Sequence, residues 1–424
     1  MTSIQDKADR TGPPPPPPPR VEGRGTELWR LALVVGATVA FGIWAGLGTL
    51  AIVLALVFMI FMHELGHYVT AKAAGMKVTE FFIGFGPRLW SFRRGETEYG
   101  LKAIPAGAYV KVIGMSNLEE VAPEDEPRTY RQQPYWRRLS VAVAGSTMHF
   151  LMALVLIFVV LVGFGIPQPD SDNWSVGALT ERSPAEEAGI ELGDRIVAVD
   201  GRRFANFEEL SSELRSHPGD QVTLAIERDG EVRQLDVTLA ETNPQGEDVG
   251  FLGIGPTDER VREGLGSGVV ESFEMTGETM WLSVKGLGSF FSPSGLSGYY
   301  DTLTSSTSGG DGDGDSDVES NPNRVVSIYG AVRLASATEE VADVLAFLFA
   351  INIFIGIFNL VPLLPLDGGH VAIATYERIR SRRGRPYHAD IAKLMPLTYA
   401  VVLLLVLVGV TSLYLDIADP LQLQ

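Results

Sequence analysis

An uncharged apolar run, Leu50-Ala-Ile-Val-Leu-Ala-Leu-Val-Phe-Met-Ile-Phe-Met62, leads directly into His63-Glu64-Leu65-Gly66-His67. Run and motif together have the length of a helix that crosses a bilayer. On such a helix His63 and His67 lie about one turn apart on the same face, where both imidazoles can bind one zinc ion. Glu64 between them is placed to act as a general base. The sequence therefore predicts a zinc motif at membrane depth, where ionisable residues indicate function.

Four apolar stretches have the length of membrane spans, and a fifth is shorter. The four run roughly over residues 47–68, 139–164, 341–361 and 394–415, and the shorter one covers 31–46. The short stretch predicts either a separate span after a tight turn at Gly46-Leu47-Gly48 or one long bent helix with its successor. Arg20, Arg24 and Arg30 favour a cytoplasmic N-terminus, which requires five spans.

Loop charge predicts the orientation of these spans. Residues 68–138 carry eleven Lys/Arg against eight Asp/Glu, and the loop 372–393 holds six basic residues. Residues 168–343 carry twelve basic and thirty-four acidic residues. The first two loops are therefore expected in the cytoplasm and the acidic block outside, so that the end of the helix with His63 and His67 faces the cytoplasm.

Composition excludes several kinds of site and partner. The 424-residue chain has no cysteine, so zinc must be held by His, Asp or Glu. A net charge of −18 argues against nucleic acid as a partner. The N-terminal region shows no cleavable signal peptide, and its seven consecutive prolines, Pro13 to Pro19, predict an extended polyproline II rod in an exposed leader.

A third zinc ligand is expected, since catalytic zinc usually has three protein ligands and a water. The segment Asn359-Leu-Val-Pro362-Leu-Leu-Pro365-Leu-Asp367-Gly368-Gly369-His370 joins an apolar span. Its prolines cannot continue a regular helix, and broken backbone at membrane depth is tolerated only in buried or wet positions. An aspartate there needs a partner, and zinc is a natural one. Both motifs are expected at the cytoplasmic ends of spans that run in the same direction.

With these two motifs the chain resembles the site-2 protease family of intramembrane zinc metalloproteases, over roughly residues 48–418. The resemblance implies that His63, His67 and Asp367 bind zinc and that Glu64 is the catalytic base. It implies that Asn359 holds the substrate backbone or the developing oxyanion. The family often shows Gly-Pro-x-x-Asn in its second conserved span, where this chain has Gly145-Ser-Thr-Met-His149. Substrate contact, contact with the metal site or a bond to a backbone carbonyl are alternatives for His149.

The loop after the zinc motif predicts a β-hairpin. Loose alternation around Gly95-Glu96 indicates two strands, and a second segment, Ala108 to Val112, alternates less clearly. The family resemblance implies that this hairpin is membrane-associated. An exposed strand edge would pair with an unwound substrate by strand addition. An ordinary cytoplasmic hairpin is the alternative.

The acidic external block contains a pattern that resembles a circularly permuted PDZ domain. Ser183 to Ile190 reads as a short helix, Leu192 to Gly201 as a strand and turn, 207–216 as a helix and 222–232 as a hairpin. This resemblance points to the PDZ-bearing bacterial branch of the family, and implies that the domain excludes intact substrates by size. An inert spacer is the alternative. After it, apolar residues recur at helical spacing from Val269 to Phe291, which indicates a helix on the membrane surface or against the PDZ domain.

The predicted fold is a multi-span α-helical membrane protein with a membrane-associated β-hairpin region and one inserted external PDZ (α+β) domain. The predicted parts are a cytoplasmic Pro-rich leader (1–30), an extra span (31–46), a first part of the catalytic membrane core (47–166), a PDZ domain (174–241), an external amphipathic and disordered region (242–340) and a second part of the core (341–418).

The predicted function is an intramembrane zinc endopeptidase of the bacterial plasma membrane. The resemblance implies that it cuts the transmembrane segment of a single-span regulator, an anti-sigma factor, after an upstream site-1 protease has made a first external cut. Membrane lipid is the second expected partner. The alternative is a non-catalytic membrane scaffold that binds partners through its PDZ domain.

Overall fold

A computed structural model describes residues 24–115, 119–167, 174–180, 182–228, 230–243, 247–257, 260–307, 325–337, 340–381 and 387–418. The helices are α1 Arg24–Ala45, α2 Leu47–Ala73, α3 Tyr135–Val159, α4 Pro184–Glu187, α5 Phe207–Arg215, α6 Leu265–Phe290, α7 Pro293–Thr307, α8 Ile328–Ala337, α9 Val341–Asn359, α10 Asp367–Arg380 and α11 Met395–Ala418. The strands are β1 Val78–Arg94, β2 Thr97–Val112, β3 Ile166–Pro167, β4 Ser175–Leu179, β5 Arg195–Val199, β6 Arg202–Arg203, β7 Gln221–Arg228, β8 Glu231–Thr238, β9 Ile254–Thr257 and β10 Arg260–Val261.

Four helical segments are long and apolar enough to cross a membrane. They are Leu47–Ala73, Tyr135–Phe164, Val341–Asn359 and Ile391–Ala418, and they match the four predicted spans. The apolar part of α1, Ala32–Ala45, is shorter. Gly46 has a φ of 89°, which L side chains rarely adopt, and it separates α1 from α2. The alternative of one long bent helix is therefore wrong, and a membrane-crossing α1 stays a prediction, as does the orientation of all spans.

The helices α2, α3 and α9 form the centre of the bundle, and α10 packs against α3. The apolar core of the bundle lies between α9 and the segment formed by α3 and the helical turn Val160–Phe164. It consists of Ala153, Ile157, Val160, Leu161, Phe349 and Ile353. The helix predicted around Val269 to Phe291 exists as α6. It packs against α3 and α9, with Met275 and Met280 against this core. The buried residues of α6 are Gly268, Ser272 and Thr276. The apolar stripe stays largely exposed, at Val269 and Phe273 among others, so the two positions predicted for it from the sequence stay predictions.

The predicted hairpin is confirmed, since β1 and β2 pair antiparallel. Arg94 pairs with Thr97 across a turn in which Gly95 has a φ of 63°. The register shifts repeatedly along the ladder, so the hairpin is irregular. Its base packs through Val78 and Val112 on the end of α2 and the start of α3, in a core with Met76, Tyr130 and Val141. This core places the hairpin beside the histidines of α2.

The acidic block contains a separate packed domain that begins at Trp174. A four-stranded antiparallel sheet has the order β6-β5-β7-β8, and β4 pairs with β9. One core holds the buried side chains of both sheets and of α5, with Leu210 and Leu224 fully buried. Leu252 belongs to the same core, so the packed unit extends to β9, beyond the boundary predicted at 241. The leader and the segment 308–324 lie largely or wholly outside the described residues.

Candidate metal centre

Two histidines from α2 and one aspartate from α10 converge inside the bundle. The Nε2 atoms of His63 and His67 are 3.1 Å apart. Asp367 Oδ2 lies 3.3 Å from His63 Nε2 and 3.2 Å from His67 Nε2. His63 is buried, and the other two side chains are partly buried. The structure thus brings together the three residues that the sequence predicts as metal ligands, across about 300 residues of chain.

The polar loop before α10 positions Asp367. The helix α9 ends at Asn359, a turn follows, and Asp367 is the first residue of α10. A Cβ at Gly368 would meet the carbonyls of Leu360 and Val361, and one at Gly369 would meet the backbone of Leu363 and Leu364. Because only glycine allows this approach, the loop can fold back and direct the carboxylate at the histidines.

The donor set and its spacing fit a zinc ion. Three atoms that each carry a lone pair would repel one another at 3.1–3.3 Å unless a cation or shared proton lay between them. Tetrahedral zinc with bonds of about 2.0–2.1 Å holds its ligands about 3.3–3.4 Å apart. Asp367 Oδ2 is buried and has no hydrogen-bond donor among the described residues, as expected of a ligand atom. The cluster therefore has the geometry of three corners of a zinc site.

The other contacts of the two histidines differ. His67 Nδ1 donates a hydrogen bond of 2.7 Å to the Val141 carbonyl of α3, which turns Nε2 towards the cluster. His63 Nδ1 is buried and has no partner among the described residues. The ring of His63 lies directly against Gly145 of α3, where a Cβ would collide with it. Close approach of α2 and α3 thus holds both rings in place.

Glu64, Asn359 and His149 have different positions relative to the cluster. Glu64 lies between the two histidines on α2, partly buried, with its carboxyl beside the Val110 backbone of β2. His149 of α3 has its ring centroid 5.1 Å from that of His63. Asn359 is the last residue of α9, and within the described residues no hydrogen bond joins it to the cluster. The structure therefore brings Glu64 and His149 to the cluster, whereas Asn359 makes no hydrogen bond to it within the described part of the chain.

The model of peptidase family M50 matches residues 51–306 and 314–406 of the chain. The chain belongs to peptidase family M50. It is 33% identical over 412 residues to zinc metalloprotease Rip1 of Mycobacterium tuberculosis, which covers 89% of this chain and 98% of Rip1. It is 32% identical to Rip1 of Mycolicibacterium smegmatis over 89% of this chain and 99% of that protein. The resemblance to site-2 proteases is thereby confirmed, and the chain is a zinc metalloprotease of that type.

Three further similarities are to one other metalloprotease and to two PDZ domains. A putative zinc metalloprotease of Clostridium acetobutylicum is 30% identical, with 78% of this chain and 87% of that protein covered. The PDZ domain of an SdrC-like protein from Listeria monocytogenes is 23% identical and matches with a TM-score of 0.19, covering 20% of this chain and 88% of that domain. The corresponding domain from Listeria innocua is 24% identical, with a TM-score of 0.18 and coverage of 20% and 93%.

Sequence reasoning missed a buried ion pair that fixes the aspartate helix of this M50 peptidase. Arg138 Nη1 of α3 donates a hydrogen bond of 2.6 Å to Glu377 Oε2 of α10, and both side chains are buried. The Ala389 amide donates to the other carboxylate oxygen. The Tyr130 ring lies 5.0 Å under the Arg138 guanidinium, and burial raises the pKa of Tyr130. The sequence contained one signal for this ion pair, since Arg138 is a charged residue near the start of an apolar helix.

Proposed function

We propose that the chain is an intramembrane endopeptidase that cuts the transmembrane segment of a single-span regulatory protein. The convergence of His63, His67 and Asp367 among membrane-length helices is the observation that supports it. A hydrolytic centre at that depth has access to a peptide bond inside a bilayer, which soluble proteases do not reach. Family membership makes an anti-sigma factor our proposed substrate, cut after an upstream protease has removed its external part.

In this mechanism His63, His67 and Asp367 would hold the zinc ion, and Glu64 is the base. The chemistry that the ion would supply when bound is that of a Lewis acid, which polarises the scissile carbonyl and lowers the pKa of the attacking water. Glu64 accepts a proton from that water and delivers it to the departing amide nitrogen. Asp367 balances part of the metal charge, and the Val141 carbonyl keeps His67 in the tautomer that binds through Nε2.

A substrate helix must unwind before it can react, because its own hydrogen bonds shield the scissile carbonyl. We assign this task to the β1–β2 hairpin, since the Val110 backbone of β2 lies beside Glu64. A substrate strand added to the hairpin would pass the base directly. Asn359, at the end of α9, is our candidate for a contact to the substrate backbone.

The excess of basic residues in the loops that flank α2 and α10 supports an active site towards the cytoplasm, with the 174–257 domain outside. We propose that this domain has a PDZ fold and limits access to substrates already shortened outside. Removal of the bulk of an external region would then be the signal that starts the second cut.

Replacing Glu64 by Gln tests the proposal with the least structural change, since it removes the base and keeps the shape. We expect cleavage of a reconstituted transmembrane peptide to fall by about 10²- to 10⁴-fold, with zinc content unchanged. Glu208→Gln, an exposed change in the external domain, is the control and should cleave normally. Cleavage at the wild-type rate by Glu64→Gln would reject the mechanism.

The substrate is identified by comparing membrane proteins of cells with the wild-type protein and cells with Glu64→Gln. A single-span protein whose shortened form accumulates only in the variant is the expected result. Accumulation of a soluble or multi-span protein alone would contradict the proposed substrate class and leave the zinc chemistry in place.

A further inference from the structure

A buried polar pair beside the metal cluster has no role in the mechanism above. His149 of α3 is 1% exposed and Asn352 of α9 is 0% exposed. His149 Nδ1 lies 2.9 Å from Asn352 Oδ1. Asn352 is the one polar side chain between Val344 and Phe358, in a helix otherwise apolar over that length. Polar groups inside membrane helices are expensive, so their position next to the metal site requires a physical reason.

Asn352 fixes the hydrogen position on His149. Its Nδ2 donates a hydrogen bond of 2.8 Å to the Leu348 carbonyl, so its Oδ1 is the atom that faces His149. An amide oxygen only accepts hydrogen bonds, and His149 Nδ1 must therefore carry the hydrogen. In the neutral ring this leaves Nε2 with a lone pair. His149 is thus an acceptor, and in this tautomer it cannot donate to an oxyanion.

His63 presents the matching donor. When Nε2 of a histidine binds a metal, its Nδ1 carries a hydrogen and normally donates it to an acceptor. His67 has such an acceptor in Val141, whereas His63 Nδ1 is buried without one. The His149 ring is adjacent, with centroids 5.1 Å apart and planes at 49°. The two nitrogens are not hydrogen-bonded in the structure, but rings at this centroid spacing come within hydrogen-bond distance, about 2.8 Å, when their nitrogens turn towards each other.

We propose that Asn352 and His149 form a relay that orients the zinc ligand His63. Asn352 holds His149 in the Nδ1–H tautomer, and His149 Nε2 accepts the hydrogen of His63 Nδ1 when His63 binds zinc. Both are positioning residues, and a small rotation of the two rings completes the contact. The inference rests on the proposed role of His63 as a ligand. It assigns a function to the histidine that replaces the asparagine of the family motif.

The test is a zinc titration of the metal-free full-length protein against a chelating competitor. His149→Phe and Asn352→Leu keep side chains of similar size, and each should weaken zinc binding by about 10- to 100-fold. Asn352→Asp keeps the acceptor and should bind zinc within a few-fold of wild type. Ser146→Ala is the matched control, since Ser146 is on the same helix, equally buried and without a hydrogen-bond partner among the described residues. It should bind zinc like wild type.

The double variant His149→Phe/Asn352→Leu guards against a failure to fold, because it removes both members of the buried pair and leaves neither of them facing an apolar side chain. Weak zinc binding in the folded double variant supports the relay, and wild-type binding overturns it. His63→Ala is titrated alongside. If His63→Ala binds zinc like wild type, the proposed metal site itself is wrong. If His63→Ala loses zinc while the double variant keeps it, only the relay is wrong.

Discussion

The external domain and the metal centre are stabilised in opposite ways. The domain from Trp174 to Thr257 is built from one continuous stretch of chain around an apolar core that includes Leu210, Leu224 and Ile226. The metal centre is built from residues about 300 positions apart, and polar contacts hold it within apolar helices. Apolar burial tolerates small displacements, whereas a lone-pair cluster depends on direction. Damage to one region should therefore leave the other largely intact.

The most damaging change to the metal centre is Asp367→Ala. Without its third ligand the cluster should lose zinc, and peptide cleavage should fall by at least about 10³-fold, since the metal contributes several kcal/mol to the transition state. Metal analysis of the purified protein and a cleavage assay measure both losses. Asp248→Ala, an exposed change in the external domain, should show neither. Retention of zinc by Asp367→Ala would remove the contrast between the two regions.

The buried ion pair between Arg138 and Glu377 tests how strongly polar contacts stabilise the metal-centre region. Arg138→Leu leaves the Glu377 carboxylate buried without its cation, and we expect a loss of about 3–5 kcal/mol, seen as a lower thermal midpoint in detergent. The double variant Arg138→Leu/Glu377→Leu removes both charges and should recover most of that loss. If the double variant is no more stable than the single one, the ion pair is not an isolated unit.

A substitution that creates a cavity in the external domain should damage that domain and leave the metal centre intact. Leu224 is fully buried, so Leu224→Ala should destabilise this domain by about 2–5 kcal/mol. Limited proteolysis should cut the domain earlier, whereas zinc affinity should stay at the wild-type value. Val232→Ala, at an exposed position of the same sheet, is the matched control and should change neither. A drop in zinc affinity on Leu224→Ala would show that the two regions are coupled.

The smallest effect is expected at the hairpin turn. Hydrogen bonds from Arg128 and Lys72 lower the pKa of Glu96 to about 2, from 4.5. A lowered carboxyl pKa stabilises the fold above about pH 4.5, and this contribution is lost as the pH falls towards about 2. Since the pair is partly exposed, we expect no more than about 1 kcal/mol.

Thermal unfolding at about pH 6 and about pH 3 tests this expectation. Glu96→Gln should lower the midpoint slightly at the higher pH and should lose less on acidification than wild type. Parallel pH profiles of the two proteins would contradict a contribution from Glu96.

Local patterns were sufficient for much of the fold and for the ligands. Apolar length predicts the four long helices, and Gly95 marks the hairpin turn, because each depends on a short window of sequence. Short windows of sequence also predict the metal site, through the spacing of His63 and His67 and the proline and glycine residues around Asp367. These features are properties of one element at a time.

Contacts between distant elements could not be predicted in this way. The Val141 carbonyl, the Glu377 partner of Arg138 and the Asn352 partner of His149 are fixed by the relative rotation of two helices, which no local period specifies. The sequence did contain weaker signals, an asparagine in the middle of α9 and an arginine at the start of α3. The packing of α6 on α3 and α9 shows the same limit, since its buried residues Gly268, Ser272 and Thr276 lie outside the apolar stripe that the sequence shows.

Two small residues limit how the enzyme can be made more robust. Gly66 of α2 sits against the backbone of Ala144, and Gly145 of α3 sits against the imidazole of His63. Exchange of a mid-helix glycine for alanine is a common route to a hardier protein, worth roughly 1 kcal/mol per position. At these two places the added methyl group would wedge the helices apart and misalign a ligand. Engineering of a more stable enzyme must therefore begin at other positions, since the geometry of the metal site depends on the missing Cβ atom at each of these glycines.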